Sequence, residues 1–284
     1  MASIVEGTKM NLPSKLEAPF FAYGLFKPGQ LCFFRIKNLV KQVSDSEVEG
    51  LLKERDGIPL LIKGGHSTIK GVLIAFIDGC EKEAYERIIE IEPHEVYRWE
   101  EVTVSNNVEA NVLVGRKELR GSTDLEHFTE WSGKTDPFFT DAIDMIEDML
   151  KNNMELGQDH KPLLRLQMAY SLLWSAIERY AGLRYYLGKK VNEKVMHISQ
   201  EEKFAQSLKK HVKEKREVHD TVDLSKYTLD RNDAEKSLKY YYQVRHNVVH
   251  RGKAVHPDFH IMKSSLNELL KIFKDLLDDA WDTQ

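Results

Sequence analysis

The segment VRHNVVHRGK, residues 244–253, gathers Arg245, His246, Asn247, His250 and Arg251 behind an aromatic run, LKYYYQ, and just before Gly252. Imidazole exchanges protons near neutral pH, and guanidinium is a fixed, forked cation that suits a phosphate. One helix end therefore carries the parts of an acid–base site with an anion clamp. Two other readings stand beside it. His246 and His250 are spaced i, i+4 as a zinc pair would be, with His256 and His260 of HPDFH as further ligands, but Asn247 stands where the zinc-peptidase motif has glutamate. Alternatively, the cations simply favour the negative end of the helix dipole and the histidines are hydrogen-bonded within a bundle. On an ideal helix Arg245 and His250 lie about 140° apart. They converge only if the helix loosens near Gly252 or a second subunit supplies half of the site.

The elements that must position these groups fall into two halves. From about residue 18 to 115 the pattern is strand-like: APFFAYGLF, IPLLIKGG, IKGVLIAFID, VYRWEEVTVS and EANVLVG are short runs rich in β-branched and aromatic residues. One helix interrupts them, CEKEAYERIIEI, with Ala84, Ile88 and Ile91 at helical spacing. Residues 117–137 are polar and aperiodic and read as a linker. From 138 to 284 the spacing predicts helices without strands: FFTDAIDMIEDML, LLRLQMAYSLLWSAIERYAGLRYYLG, EEKFAQSLKKHVKEKRE, NDAEKSLKYYYQVRHNVVHRG and IMKSSLNELLKIFKDLLDDAW. Asn232 and Glu235 have capping-box spacing, and Gly252 suits the position after a helix end. Trp174, Trp281 and at least one of Tyr240, Tyr241 and Tyr242 read as core. Cys32 and Cys80 read as small buried hydrophobes at strands or strand ends.

With 41 basic and 45 acidic residues the net charge is −4, which argues against binding nucleic acid or anionic lipid through bulk charge and leaves only local patches. Lys189, Lys190, Lys203, Lys209, Lys210, Lys213, Lys215 and Arg216 form one such tract, able to follow a phosphate backbone or merely to keep a helix solvated. Two cysteines are too few for a disulfide scaffold or a cysteine zinc site. Glu6, Lys9, Lys15 and Glu17 break any leader-like apolar segment, and runs such as VLIAFI are short for a membrane span. The expectation is a cytoplasmic protein without cofactor, metal or membrane contact.

FFAYGLFKPGQL resembles the opening strand and loop of the gamma-glutamylcyclotransferase-like family, through Tyr23, Gly24, Leu25, Lys27 and Gly29. GIPLLIKGGHSTIKGVLIAF and IIEIEPHEVYRWEEVTV are similar to that family's later strands and acid-bearing segment, in the same order. The resemblance implies a glycine loop whose N–H groups hold an anion such as a substrate carboxylate. It also implies a glutamate, here Glu92, that moves the proton of the substrate amine as 5-oxoproline closes. Ile91 and Pro93 would desolvate that carboxyl toward neutrality. Leu25 departs from the family's usual Thr or Ser, which puts the cyclotransferase activity in question. A plain solvated acidic run through Glu90, Glu92 and Glu95 is the other reading.

RHNVVH resembles the Arg-x4-H motif of the HEPN superfamily of small helical bundles, many of them metal-independent ribonucleases. AYSLLWSAIERYAG looks like its first long helix, whose acidic residue, here Glu178, faces the motif. The resemblance implies cleavage of single-stranded RNA by the 2′-OH, with His250 as general base or acid and Arg245 as phosphate clamp. Glu178 orients them, His246 and Asn247 add polar contacts, and Tyr240–Tyr242 could stack on bases. It also implies a homodimer through the helical domain and a setting in stress response, toxin–antitoxin or antiviral defence. The combined expectation is an α+β protein. A small mixed β-barrel of gamma-glutamylcyclotransferase-like type, 17–116, holds a small anionic or gamma-glutamyl-like ligand or regulates; a linker, 117–137, leads to an all-α HEPN-like bundle, 138–284. The alternative is a gamma-glutamyl(amine) cyclotransferase with the bundle as scaffold.

Overall fold

The structure, a computed structural model, describes residues 10–55, 57–92, 94–116, 123–124, 128–151, 161–185, 190–220, 222–251 and 256–282, with backbone alone at 106, 123–124, 249–251 and 256–258. It is a mixed α+β protein. Two compact units are present: Met1–Gly133 with Leu183–Gly188 and Thr283–Gln284, and Lys134–Gly182 with Lys189–Asp282. The first division falls at Gly133, so residues 128–133, read from sequence as linker, belong to the N-terminal unit. There Thr129 O accepts the Lys70 N–H at 2.7 Å and Gln30 Oε1 accepts that of Gly133 at 2.9 Å.

The N-terminal unit is built on β1 (Phe20–Ala22), β2 (Val40–Arg55), β3 (Ile58–Phe76), β4 (Tyr97–Val104), β5 (Val108–Gly115) and β6 (Thr123–Asp124), with α1 (Glu81–Ile89) after β3. The sheet order is β4-β5-β1-β3-β2-β6, antiparallel except that β1 and β5 run parallel at Phe20↔Asn111. IPLLIKGG and IKGVLIAFID, separate runs by sequence, form the single strand β3. Its partner β2 is hard to see in sequence because it is charged. Yet Ser46, Val48, Gly50 and Leu52 are buried while Glu47 and Glu49 face out, the period-two pattern of a half-buried strand. The hairpin register jumps from Gly50↔Ser67 to Leu51↔Ile62. Residues 63–66 bulge there, and such a bulge bends a hairpin. The outer arm, Leu51–Ile62, thereby meets β1, β4 and β5: Tyr23 Oη accepts the Leu61 N–H at 3.1 Å, and Tyr97 Oη donates to Pro59 O at 2.7 Å.

Ring packing centres this unit. Tyr85 lies edge-on to Trp99 and Phe76, both at 5.3 Å, and Phe20 to Trp99 at 5.8 Å. Helix α1 buries Ala84, Tyr85 and Ile88 against it, and Ile91 is buried just beyond the helix end. Cys32 is fully buried but sits in a turn, and Cys80 is half-buried ahead of α1; neither is in a strand.

The C-terminal unit contains α2 (Asp141–Lys151), α3 (Lys161–Arg184, up to Gly182 in this unit), α4 (Val191–Met196), α5 (Glu202–His211), β7 (Arg216–His219), β8 (Lys226–Leu229), α6 (Ala234–Arg251) and α7 (His256–Asp282). The expectation of helices without strands is therefore corrected. β7 and β8 form an antiparallel hairpin from Arg216↔Leu229 to His219↔Lys226. EEKFAQSLKKHVKEKRE is helical only as far as His211, because its last residues start this hairpin: Val218 faces inward between exposed Glu217 and His219. The helix start is corrected too. Asp233, not Asn232, caps α6, its Oδ1 accepting the Lys236 N–H at 3.0 Å, while Glu235 pairs with Lys239. Trp174, Tyr240 and Tyr241 are buried core, as are Leu266, Leu269, Leu270, Phe273, Leu276 and Leu277 of the α7 stripe. Trp281 is only half-buried, tilted against Phe139 at 6.1 Å. Gly252 lies outside the described residues.

Candidate functional site

In the N-terminal unit the chain after β1 turns sharply through the loop that the sequence singled out. Gly29 has φ 71°, the left-handed region that glycine adopts without strain. Gly24 is required by contact, since a Cβ there would meet Pro59 Cγ of the arm at 2.8 Å. A pocket opens between loop, sheet and arm, lined by Phe20, Tyr23, Leu25, Pro59, Glu92 and Tyr97 among others. Its volume open to water is about 20 Å³, room for on the order of one water molecule. Glu92 is 7% exposed, and burial pushes its carboxyl up to about 8. No hydrogen bond or ion pair to that carboxyl is present among the described residues. Burial likewise holds Tyr23, Tyr97 and Cys32 protonated, well above their usual ranges.

Of the six residues singled out there, the fold brings Tyr23, Gly24, Leu25 and Glu92 together. Lys27 and Gly29 do not line this pocket. Lys27 is buried in an ion pair with Glu130 at 2.7 Å and borders a separate groove with Asp45, Ser46, Glu47 and Lys70. The loop also turns amides onto itself: Lys27, Gln30 and Cys32 donate to the carbonyls of Gly24, Lys27 and Leu25. These three N–H groups are unavailable to an anion. Glu90 and Glu95 stand apart, Glu90 at the surface with Arg35 and Glu95 beside His94.

In the helical unit Arg245 of α6 reaches Glu178 of α3, Nη2 to Oε1 at 3.0 Å, with both side chains mostly buried. Its guanidinium lies 5.6 Å from the ring centre of Tyr242, which packs edge-on against Trp174 at 5.5 Å. Asn247 sits about 200° round the helix from Arg245. It is buried, donates to His219 O of β7 at 2.9 Å and accepts from Gln243 at 2.9 Å; Gln243 also donates to Asp220 at 2.9 Å. Asn247 thus fastens the hairpin to α6. His246 is half-buried between the two flanks and contributes to the field that, after the Val222 N–H, holds the Asp220 carboxyl below its usual range. His250 lies in the last turn of α6; its side chain, that of Arg251 and that of His256 are outside the described residues.

Four of the eight residues of the basic tract are engaged within the fold, while Lys209 and Lys215 are exposed. Arg216 forks onto Glu268, Lys210 pairs with Asp275 at 3.1 Å, Lys203 with Asp279 at 3.7 Å, and Lys213 donates to Lys210 O. Lys190 is exposed and Lys189 lies outside the described residues. Of the three tyrosines before the motif only Tyr242 is partly accessible, so it alone could meet a base. His260 is exposed beside the Phe259 ring, and no group of three or more His, Cys, Asp or Glu side chains able to hold a metal occurs among the described residues. No helix among them is long and apolar enough to cross a membrane.

Sequence reasoning did not find Tyr97, Pro59, Asp220 or Gln243. Tyr97 and Pro59 are ordinary strand residues until the bent arm brings them to the pocket, and no local pattern carries that information. Gln243 did carry a signal, its i, i+4 spacing to Asn247 on one helix face.

No family model and no curated protein matches the chain. Two solved structures are similar to it. The crystal structure of uncharacterized protein PH0828 from Pyrococcus horikoshii shares 21% identity, covers 48% of this chain and 99% of its own, and gives a TM-score of 0.31. The urea amidolyase of K. lactis shares 10% identity over 47% of this chain, corresponding to 9% of that protein, at a TM-score of 0.35. Similarity this weak assigns neither a family nor a function to the chain.

Proposed function

We propose that the chain is a metal-independent endoribonuclease of HEPN type, whose N-terminal unit, of cyclotransferase-like barrel type, binds a small ligand or regulates the helical unit. The observation that supports this is the Glu178–Arg245 pair at 3.0 Å, which sets the acid of one long helix against the arginine of the motif helix. In the proposed reaction His250 removes the proton of a ribose 2′-OH, and the oxygen attacks the adjacent phosphorus. Arg245 exchanges Glu178 for the non-bridging oxygens, and the 5′-oxygen leaves after protonation by an imidazolium, His246 or His250 of a second copy. The products are a 2′,3′-cyclic phosphate and a 5′-hydroxyl. Asn247 serves as the anchor of the hairpin. By resemblance the enzyme works as a homodimer in stress response or antiviral defence.

The test is cleavage of single-stranded RNA in EDTA, with end-group analysis. His250→Ala and Arg245→Ala are expected to abolish cutting with unchanged circular dichroism; undiminished cutting by His250→Ala overturns the reading. A second reading, a gamma-glutamyl(amine) cyclotransferase, is favoured by one observation: the largely buried Glu92 carboxyl, pushed up to about 8 by burial, lining a pocket beside the Tyr23–Leu25 loop. It requires release of 5-oxoproline that disappears in Glu92→Gln.

A further inference from the structure

A second depression lies at the bend of the β2–β3 hairpin and shares no lining residue with the Glu92 pocket. The register pairs Leu51 with Ile62 and Lys53 with Leu60, so these four side chains share one face of the arm. Leu51, Leu60 and Ile62 give that face an aliphatic floor, and about 350 Å³ is open to water above it. Gly115 brings the end of β5 onto the floor. A Cβ there would meet Leu60 Cβ at 3.0 Å and Ile62 Cδ1 at 3.1 Å, so only glycine fits, and Arg116 follows at the rim.

Among the described residues, every charged side chain that lines this groove is a cation: Lys53, Lys63 and Arg116. Arg116 Nε donates to His94 O at 2.8 Å, and no carboxylate among the described residues pairs with its guanidinium. Lys63 pairs with Glu100 and donates to Glu101 O at 3.0 Å, but Glu100 also pairs with Arg98, so one carboxylate serves two cations. Lys53 is itself engaged, so the excess positive charge rests on Arg116 and on the two cations around Glu100. The backbone adds to it. The bulge leaves residues 63–66 without a register partner, and Gly64 turns there with φ 89°. Successive amides in such a turn converge on an anion. We infer that this groove binds a small phosphate monoester with an apolar body, its phosphate on Arg116 and Lys63 and its body on Leu51, Leu60 and Ile62. A monoester carries nearly two charges at neutral pH, and its oxygens match the forked guanidinium. The volume lies at the small end of the range of ligand sites, about 300–1,000 Å³, which suits one ring or a short chain and not a polymer. The inference extends the reading of the N-terminal unit as a ligand-binding module and uses neither Glu92 nor the nuclease chemistry.

The experiment titrates the full chain with phenyl phosphate at neutral pH by ligand-observed NMR, with inorganic phosphate and phenol as the anion alone and the body alone. Saturable binding of phenyl phosphate is expected, roughly tenfold tighter than that of inorganic phosphate through burial of the ring. Arg116→Gln is expected to weaken it roughly tenfold, and Arg116→Lys, which keeps the charge and loses the fork, to restore part of that loss. Glu100→Gln, which releases Lys63 and Arg98 from their shared carboxylate, is expected to tighten binding about threefold. Glu92→Gln is expected to leave it unchanged. No saturable binding, equal affinity for inorganic phosphate, indifference to Arg116→Gln, or loss in Glu92→Gln would overturn the inference. Tighter binding of an oligouridylate than of phenyl phosphate would also overturn it and place the groove on a path for RNA. RNA cleavage and 5-oxoproline release are scored on the same preparations, so failure of the groove and failure of either proposed activity are told apart.

Discussion

Replacing Glu92 by Gln is expected to stabilise the N-terminal unit at neutral pH, by an amount that depends on pH in a defined direction. The carboxyl titrates near 4.5 in the unfolded chain and near 8 in the folded one. Below about pH 4.5 both states are protonated and nothing is lost. As pH rises toward 8 the unfolded chain releases a proton that the folded chain keeps, so stability falls, and the loss is complete once pH passes the folded value. At ~1.4 kcal/mol per pH unit the loss reaches about 3 kcal/mol at pH 7. Glutamine has no such slope. Its buried amide adds a pH-independent cost of about 1–3 kcal/mol, so the informative quantity is the difference between the two pH values. Hydrogen exchange at the β1 and β3 amides, comparing variant with parent at the same pH, cancels intrinsic rates and reads that difference directly. A variant that gains roughly 3 kcal/mol more at pH 7 than at pH 4 agrees with the reasoning. Equal effects at both pH values would show that the carboxyl is already ionised or solvated in the fold, and would refute it.

Three further outcomes follow from other contacts. Gly24→Ala places a Cβ 2.8 Å from Pro59 Cγ and is expected to cost about 1–3 kcal/mol in thermal unfolding; a neutral result would mean that the arm does not pack there. Asn247→Ala removes the hydrogen bonds to His219 O and Gln243 and is expected to cost about 1–3 kcal/mol, with early loss of exchange protection in β7 and β8; unchanged protection would count against the anchor role. At Asp275, burial opposes the charge, but hydrogen bonds from His211, Ser207 and Lys210 outweigh it and hold the carboxyl below its usual range. Its stabilisation is present above the unfolded value of about 4 and is lost as pH falls through the lower folded value, so urea titrations should show a shallower acid limb in Asp275→Asn.

The periodic elements are legible in the amino-acid sequence alone. Helix α1, the α7 stripe and the β5 run carry dense apolar patterns, and their buried residues match them, whereas β4 is legible from its β-branched and aromatic content although only Tyr97 and Val104 of it are buried. Strand β2 and the β7–β8 hairpin are not legible for one shared reason: Glu47, Glu49, Glu217 and Lys226 fill their outward positions, and a charge-rich stretch with few inward apolar residues reads as a helix or a loop. The sites divide similarly. Glu92 next to Ile91 stands out because desolvation has a local signature. The opposing arm does not, because a bend at residues 63–66 acts across distant strands. The Glu178–Arg245 contact follows from a resemblance between two helices, whereas the commitment of Asn247 to His219 O depends on a hairpin that its own charged residues conceal.

Helix α6 is gripped on opposite flanks by different parts of its own unit. Glu178 steadies the guanidinium flank from a neighbouring helix, and the short hairpin steadies the amide flank through Asn247 and Gln243. Removing the hairpin contacts of Asn247 and Gln243 would leave the Glu178–Arg245 pair, made with a different helix, intact. The two flanks of this eighteen-residue helix are thus held by different partners, although they share one run of backbone hydrogen bonds.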